Sequence, residues 1–514
     1  MFKKSQLQLN QTVTLILIVG VVITVNYLLT LFPIRLDVTA NQRFSLSKAS
    51  KELVRNIDDL VTIKVFVSQK LPAQFSPTVQ QVRDLLWEYQ SSAPNKLKVE
   101  YFDPSADDGA AQKANSLGIY PIQFSDISQE KLEVSQGYFG LAIIYVDRSE
   151  TLSFIEDTSN LEYQISLAIT SLTREEKPML VFITGHDEKS ITEDLASTAA
   201  ALRQLYTVQE SSLEDWASDE ELRGKTTALI IVDPQKELSD KEKFQLDQFL
   251  MKGKSVLALL EGANVEAGLQ AAPTEHKLGE FFGHYGAAIN NDLILDTVNE
   301  LANFSDGRSS FFVAYPFWPK VTGNGLSADS VITNRLENIL FPWSSSVTVQ
   351  VPEGISAITL AQTSSRSWTQ KDTFDLDPTQ EFSVPKEVSP QTLAVLLEGA
   401  FNSYFKGKDL PEDASSDDYK QQGASARLIV VGDASFAQER FVRGQQGNYV
   451  FLANMIDYLA AETGLTEIRA KGQTFRPIKE ISSAVKQQVK YANILGAPIG
   501  LLVFGFVKVY RRKE

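Results

Sequence analysis

The sequence predicts an α/β protein of two successive domains with an apolar helix at either end. Three observations lead there. Short apolar runs suited to strands alternate with amphipathic helical segments along most of the 514 residues. Several of those runs are apolar at consecutive positions, as expected of strands covered on both faces of a parallel sheet. Two uncharged stretches, residues 13–32 and 491–507, bracket everything else.

The first stretch, VTLILIVGVVITVNYLLTLF, has 20 residues and as a helix is about 30 Å long, the thickness of a bilayer's hydrocarbon core. The second, YANILGAPIGLLVFGFV, has 17 residues and contains Pro498, so it sits near the lower limit for a span. Lys3 and Lys4 precede the first; Lys508, Arg511, Arg512 and Lys513 follow the second. Short basic flanks stay in the cytoplasm, so the expectation is an inner-membrane protein with both termini cytoplasmic and its bulk extracytoplasmic. A cleaved signal peptide is the alternative for the first stretch, but its apolar region would be shorter, about 7–15 residues. The expected organisation is a cytoplasmic segment 1–12, a transmembrane helix 13–32, an outer domain 33–158, a second outer domain 159–470 with insertions near 300–425, a linker 471–490, a transmembrane helix 491–507 and a cytoplasmic tail 508–514.

Charge and composition exclude several classes. A net charge of −15 repels phosphate, so nucleic acid is not expected as a partner. Cysteine is absent, which removes disulfides, zinc–thiolate sites and thiol nucleophiles.

In the first domain the order is strand (60–68), helix (77–91), strand (97–102), short helix (110–117), a strand led by Pro121, then a hairpin from Tyr138 to Ile155. That order resembles a thioredoxin-like fold, with Pro121 where such folds place a cis-proline. The turn after the first strand reads SQKLPAQFSP and lacks a redox pair, so a binding or spacer module is expected; an ordinary strand-start proline is the alternative for Pro121. In the second domain MLVFIT (179–184), ALIIV (228–232), SVLALL (255–260) and RLIVV (427–431) read as parallel strands, with crossovers such as helix 240–252. The expectation is a doubly wound domain, Rossmann- or flavodoxin-like, with β-rich additions between about 300 and 400. Polar segments 363–390 and 406–425 read as loops or insertions.

Two triplets, Gly224-Lys225-Thr226 and Gly253-Lys254-Ser255, imitate a phosphate-binding loop. Both lack the glycine five residues ahead and both precede a strand, where that loop must follow one. They are rejected, and no cofactor is expected. The most site-like feature is Thr184-Gly185-His186-Asp187-Glu188 at the end of a central strand, with Gly432-Asp433 in the equivalent place on a later one. Ligands of open α/β sheets bind at such ends, so His186, Glu188 and Asp433 are candidates for a polar ligand, or for a metal-dependent or hydrolytic centre of a cell-envelope enzyme. The plainer alternative is that the glycines make turns and Asp433 caps a helix. His276 and His284 read as helix-surface or turn residues. Tyr315, Phe317, Trp318 and Trp343 lie in two segments dense in aromatics and prolines. Exposed, they would form a platform for a sugar or a partner; buried, they are packing corners.

The chain also resembles the GldG-like auxiliary components of ABC transport systems associated with gliding motility. The resemblance runs through Arg35-Leu36-Asp37-Val38-Thr39, Arg43-Phe44-Ser45-Leu46-Ser47, Phe102-Asp103-Pro104, Tyr138-Phe139-Gly140-Leu141, Leu161-Glu162-Tyr163, Thr184-Gly185-His186, the segment Tyr315 to Pro319, Glu398-Gly399-Ala400-Phe401, Gly432-Asp433 and Arg476-Pro477. Gly253-Lys254 stands where the family commonly has two glycines. The resemblance implies a non-catalytic, membrane-anchored accessory subunit that binds substrate or a partner and works with a separate permease and ATPase. It brings no established catalytic residues.

Overall fold

The computed structural model describes residues 45–460 apart from 70, 129–130, 159, 267, 306–308 and 412–418, together with residues 17, 20, 21, 24, 468, 469 and 490. The chain divides into two units, Met1–Gln473 and Thr474–Glu514. Both of the larger sheets belong to the first.

Helix α1 (Lys48–Arg55) starts at Ser47, whose hydroxyl accepts from the Ser50 amide. There follow β1 (Val61–Val67), α2 (Ser76–Ser92), β2 (Leu97–Phe102) and α3 (Asp108–Ser116), which Asp107 caps. Next come β3 (Ile122–Ser128), β4 (Lys131–Gly137), β5 (Phe139–Tyr145), β6 (Arg148–Leu152) and α4 (Leu161–Thr173). The sheet order is β2-β1-β5-β6, with β1 parallel to β2 and antiparallel to β5. Period-2 patterning assigns its faces. Val61, Ile63, Val65, Leu141 and Ile143 pack on α1, α2 and α4, while Phe66 and Ala142 pack on Ala114 of α3. Helix α2 buries Val82, Leu86 and Tyr89, one stripe at helical spacing.

Two details differ from expectation. The strand after Pro121 leaves the sheet and forms a separate hairpin, β3 with β4. No peptide bond among the described residues is cis, and Pro121 is an exposed residue at the start of that hairpin.

The second region runs β7 (Met179–Thr184), α5 (Ala196–Leu202), β8 (Thr207–Ser212), α6 (Leu213–Ser218), α7 (Glu220–Lys225), β9 (Thr226–Val232), α8 (Asp240–Met251) and β10 (Ser255–Leu259). Smaller elements follow: β11 (Ala263–Val265), β12 (Ala271–Pro273), α9 (Leu278–Tyr285), β13 (Ala287–Ile289), β14 (Asp292–Asp296), β15 (Asn299–Ser305), β16 (Ser310–Thr322), β17 (Asn338–Leu340) and β18 (Val347–Val349). The region closes with β19 (Ile355–Gln362), β20 (Ser367–Lys371), β21 (Thr392–Asn402), β22 (Gln422–Val431), α10 (Glu439–Gly444) and α11 (Gln446–Leu459). Seven strands form the main sheet in the order β19-β21-β22-β10-β9-β7-β8. From β22 to β8 every neighbour is parallel, and β7, β9 and β10 are buried on both faces, while the edge strand β8 is partly exposed. Leu257 and Leu259 face the core shared with α11 and α5; Val256 and Ala258 face the one shared with α6, α8 and α9.

The expected doubly wound sheet is therefore mixed, because β21 and β19 extend it antiparallel from β22. The segment 363–390 also contributes a strand, β20, which pairs with β14.

The flanking helices of the expected fold class are corrected. Among the described residues no helix is long and apolar enough to cross a membrane. The longest of them, α2, has 17 residues and so spans about 25 Å, and it carries Arg83, Asp84 and Glu88. The stretches 13–32 and 491–507 lie outside the described residues, apart from 17, 20, 21 and 24. The fold class is mixed α/β with several sheets. The inner-membrane placement with cytoplasmic termini, and the lipid contact expected of them, lose their support on the same finding.

Candidate functional site

Four parallel strands end side by side, and each delivers polar residues to the same edge of the sheet. Past β7, Gly185 (φ 120°) and Asp187 (φ 60°) turn the chain sharply. The His186 carbonyl accepts from the Gln235 amide at 2.8 Å, which ties this loop to the end of β9. Glu188 folds back so that its carboxylate accepts from the His186 amide at 2.7 Å. The imidazole is held between two carboxylates: Nδ1 lies 3.6 Å from Glu188 and Nε2 lies 3.3 Å from Glu242 on α8. Burial pushes the Glu188 carboxyl above its usual range, partly opposed by the His186 amide.

The other three strands supply acids. Asp233 follows β9, takes φ 53° and is buried; its Oδ2 lies 3.4 Å from Lys189 Nζ. Glu261 follows β10, and its Oε1 accepts three hydrogen bonds, from the Ala434 amide and from the Ser435 amide and hydroxyl, each at 3.0 Å. Asp433 follows β22 and is wholly buried, with Oδ1 accepting from the Phe436 amide at 2.9 Å. It therefore caps the turn that leads to α10. Asp233 Oδ1, Glu261 Oε2 and Asp433 Oδ2 are buried without a hydrogen-bond partner. Burial, and then the charge of Asp233, pushes Glu261 up to about 8. Burial, and then Glu261, raises Asp433 well above the carboxylate range.

His276 completes the cluster. Its Nδ1 accepts from the Leu278 amide at 3.0 Å, so the proton is on Nε2, which donates to the Glu261 carbonyl at 2.8 Å. Burial pulls this imidazole below its usual value, consistent with the neutral form.

The ends of β10 and β22 are covered by backbone. A Cβ on Gly432 would come within 2.1 Å of the Ser345 carbonyl oxygen, and one on Gly262 within 1.9 Å of the Asn290 carbonyl oxygen. Ser345 donates from its amide to the Gly432 carbonyl at 2.6 Å and accepts from the Gly262 amide at 2.9 Å. Asp292 holds this strap by accepting from the amide and hydroxyl of Ser346. Only glycine lets the chain pass so close.

Sequence reasoning named His186, Glu188 and Asp433. The structure joins the first two to each other, and it joins Asp433 to Glu261. Glu261, Asp233 and His276 were missed. The first two sit one or two residues past an apolar run, a signal that strand-end reasoning offers. Among the described residues, no group of three or more His, Cys, Asp or Glu side chains is arranged to hold a metal ion. The aromatic quartet lies elsewhere on the same region. Tyr315 and Phe317 are wholly buried, and Trp343 packs edge-on against Trp318 at 5.4 Å, with Arg440 over its ring. Tyr315 donates to the Leu376 carbonyl at 2.8 Å. The four rings fasten β16 to the small sheets around it.

Residues 177–460, which contain the whole seven-stranded sheet, match a family described as an ABC-type uncharacterized transport system. The chain belongs to this family of ABC transport auxiliary components. Residues 40–144 match a second family, a domain of unknown function. An uncharacterized protein of Borreliella burgdorferi is 22% identical over 496 residues, covering 93% of this chain and 94% of its own length. Two solved structures are similar at low scores. The N-terminal domain of mmIFT52 has 14% identity and a TM-score of 0.35 over 55% of this chain and 97% of its own. A putative ThuA-like protein from Bacteroides uniformis has 10% identity and a TM-score of 0.30 over 56% and 93%. Neither score carries a statement about this chain's fold or chemistry.

Proposed function

We propose that the chain is a non-catalytic accessory subunit of an ABC transport system, binding the transported substance or a partner protein beside a separate permease and ATPase. The observation that carries this reading is the family match across the entire main sheet. Two features of the site support it. The strand-end acids lie under a backbone strap, where one oxygen of Glu261 and one of Asp433 accept from turn amides and Asp233 sits beside Lys189. The two Gly-Lys-Thr/Ser triplets close α7 and open β10, and Lys254 Nζ donates to the Thr226 carbonyl at 2.9 Å. A lysine so used offers nothing to a nucleotide phosphate, which agrees with ATP turnover on another subunit.

Affinity purification of the tagged full-length chain from its own cells tests the proposal. A permease and an ATPase should co-purify in fixed ratio. Recovery of the chain alone would overturn it.

A further inference from the structure

A cleft of about 390 Å³ opens between β6 and α4 of the first sheet region and helices α5 and α11 of the second. That volume falls within the range of small-molecule sites. One side is a buried ion pair. Arg469 donates to Asn454 Oδ1 at 2.9 Å and to Tyr163 Oη at 2.7 Å, and lies 2.8 Å from the wholly buried carboxylate of Asp457. Its guanidinium also lies over the Tyr163 ring, 4.8 Å from the centroid. The positive charge is therefore spent inside the protein, and the wall it forms is close to neutral.

The rest of the lining has a different character. Four residues with side-chain amides, Asn160, Gln164, Gln204 and Gln446, line the cleft. Each amide offers two donors and an acceptor at no net charge. The rings of Tyr163 and Tyr449 supply flat apolar surface between them. Glu150 is the remaining charged residue of the lining and stands exposed at β6.

We infer that this cleft binds a neutral, polyhydroxylated small molecule of the mono- or disaccharide class. A sugar hydroxyl both donates and accepts, which is the pairing an amide offers from its two ends. The C–H face of a pyranose packs on a tyrosine ring. A carboxylate or phosphate ligand would meet a guanidinium whose two terminal nitrogens are already engaged. A wholly apolar ligand would leave the amides without partners in a dry contact. Because the walls come from both sheet regions, an occupied cleft also ties them together. The inference rests on the transport reading only for its purpose, since binding is a property of this chain alone.

The test titrates the full-length chain with glucose, N-acetylglucosamine and maltose, and separately with citrate and phosphate, by calorimetry and saturation-transfer NMR. Saturable one-to-one binding of at least one sugar is expected, weakened at least about tenfold in the double variant Gln164→Ala/Gln446→Ala. Both positions are exposed, so the variant should melt with the wild type. Absence of sugar binding, equal binding by the double variant, or binding of the anions in place of sugars would each overturn the inference. If no sugar binds while permease and ATPase still co-purify, the ligand assignment fails alone. If sugar binds and the chain purifies by itself, the transport reading fails alone.

Discussion

Glu261 holds a proton near neutral pH because its surroundings remove water and place Asp233 and Asp433 beside it. Lys189, His276 and Arg440 face the same cluster, but Lys189 is engaged with Asp233 and His276 is neutral. With Glu261 raised from the usual carboxylate range to about 8, the folded chain binds one more proton than the unfolded chain between about pH 4.5 and 8. Stability contributed by this group is thus complete at low pH, falls as pH rises through that window and levels off above it. Glu261→Gln should flatten the slope and raise stability at pH 8 by about 1–3 kcal/mol, since an amide can accept from the Ser435 turn and donate toward Asp433. Urea titrations of both proteins at pH 5 and pH 8 check this; parallel slopes would refute it. Little of this was legible beforehand. His186 and Asp433 stood out by following apolar strands with a glycine between. Glu261 carries no such glycine before it, and the placement of His276 depends on a carbonyl 15 residues earlier in the chain.

At the level of elements, the strap over the strand ends explains two glycines. Gly432→Ala would press a methyl against the Ser345 carbonyl, and backbone cannot swing aside as a long side chain can. A loss of about 2 kcal/mol or more is expected in urea unfolding, against no loss for the unhindered Gly224→Ala in α7, where alanine is the better helix former. Helix α8 offers a milder case. Ser239 and Glu242 close a reciprocal capping box, so Ser239→Ala should cost about 1 kcal/mol by the same measurement. The central strands were readable because both of their faces are apolar: MLVFIT is β7 to the residue, and ALIIV is β9 without its first two threonines. What could not be read was pairing. The first half of β22, Gln422 to Ala426, alternates polar and small residues and is a strand only because β21 lies beside it. The β3–β4 hairpin escaped for the same reason, since nothing near Pro121 signals that the strand leaves its sheet.

Across the whole first unit, one polar latch joins distant parts of the chain. Arg469 reaches Tyr163 on α4 and both Asn454 and Asp457 on α11, while Tyr206 donates to Asp457 at 2.7 Å. Removing the cation alone strands a fully buried carboxylate. Arg469→Met should therefore destabilise by about 3–5 kcal/mol, and adding Asp457→Asn should restore much of the loss. Thermal unfolding of the single and double variants decides it; additive losses would argue against a latch. The alternation of strands and helices was legible at this scale, strand by strand through both of the larger sheets. The feature the sequence weighted most, its apolar ends, falls outside the described residues, and the helices that are described are too short to cross a bilayer.

The strand order of the main sheet also bears on synthesis. β10 is flanked by β9, made about 25 residues earlier, and by β22, which emerges about 170 residues later. A nascent chain leaving the ribosome would carry β10 with a bare edge through the translation of everything between, a wait of about 10 seconds or more at usual elongation rates. Such an edge is a template for mispairing, so the growing polypeptide needs a holdase or some temporary cover until its last strand slots home.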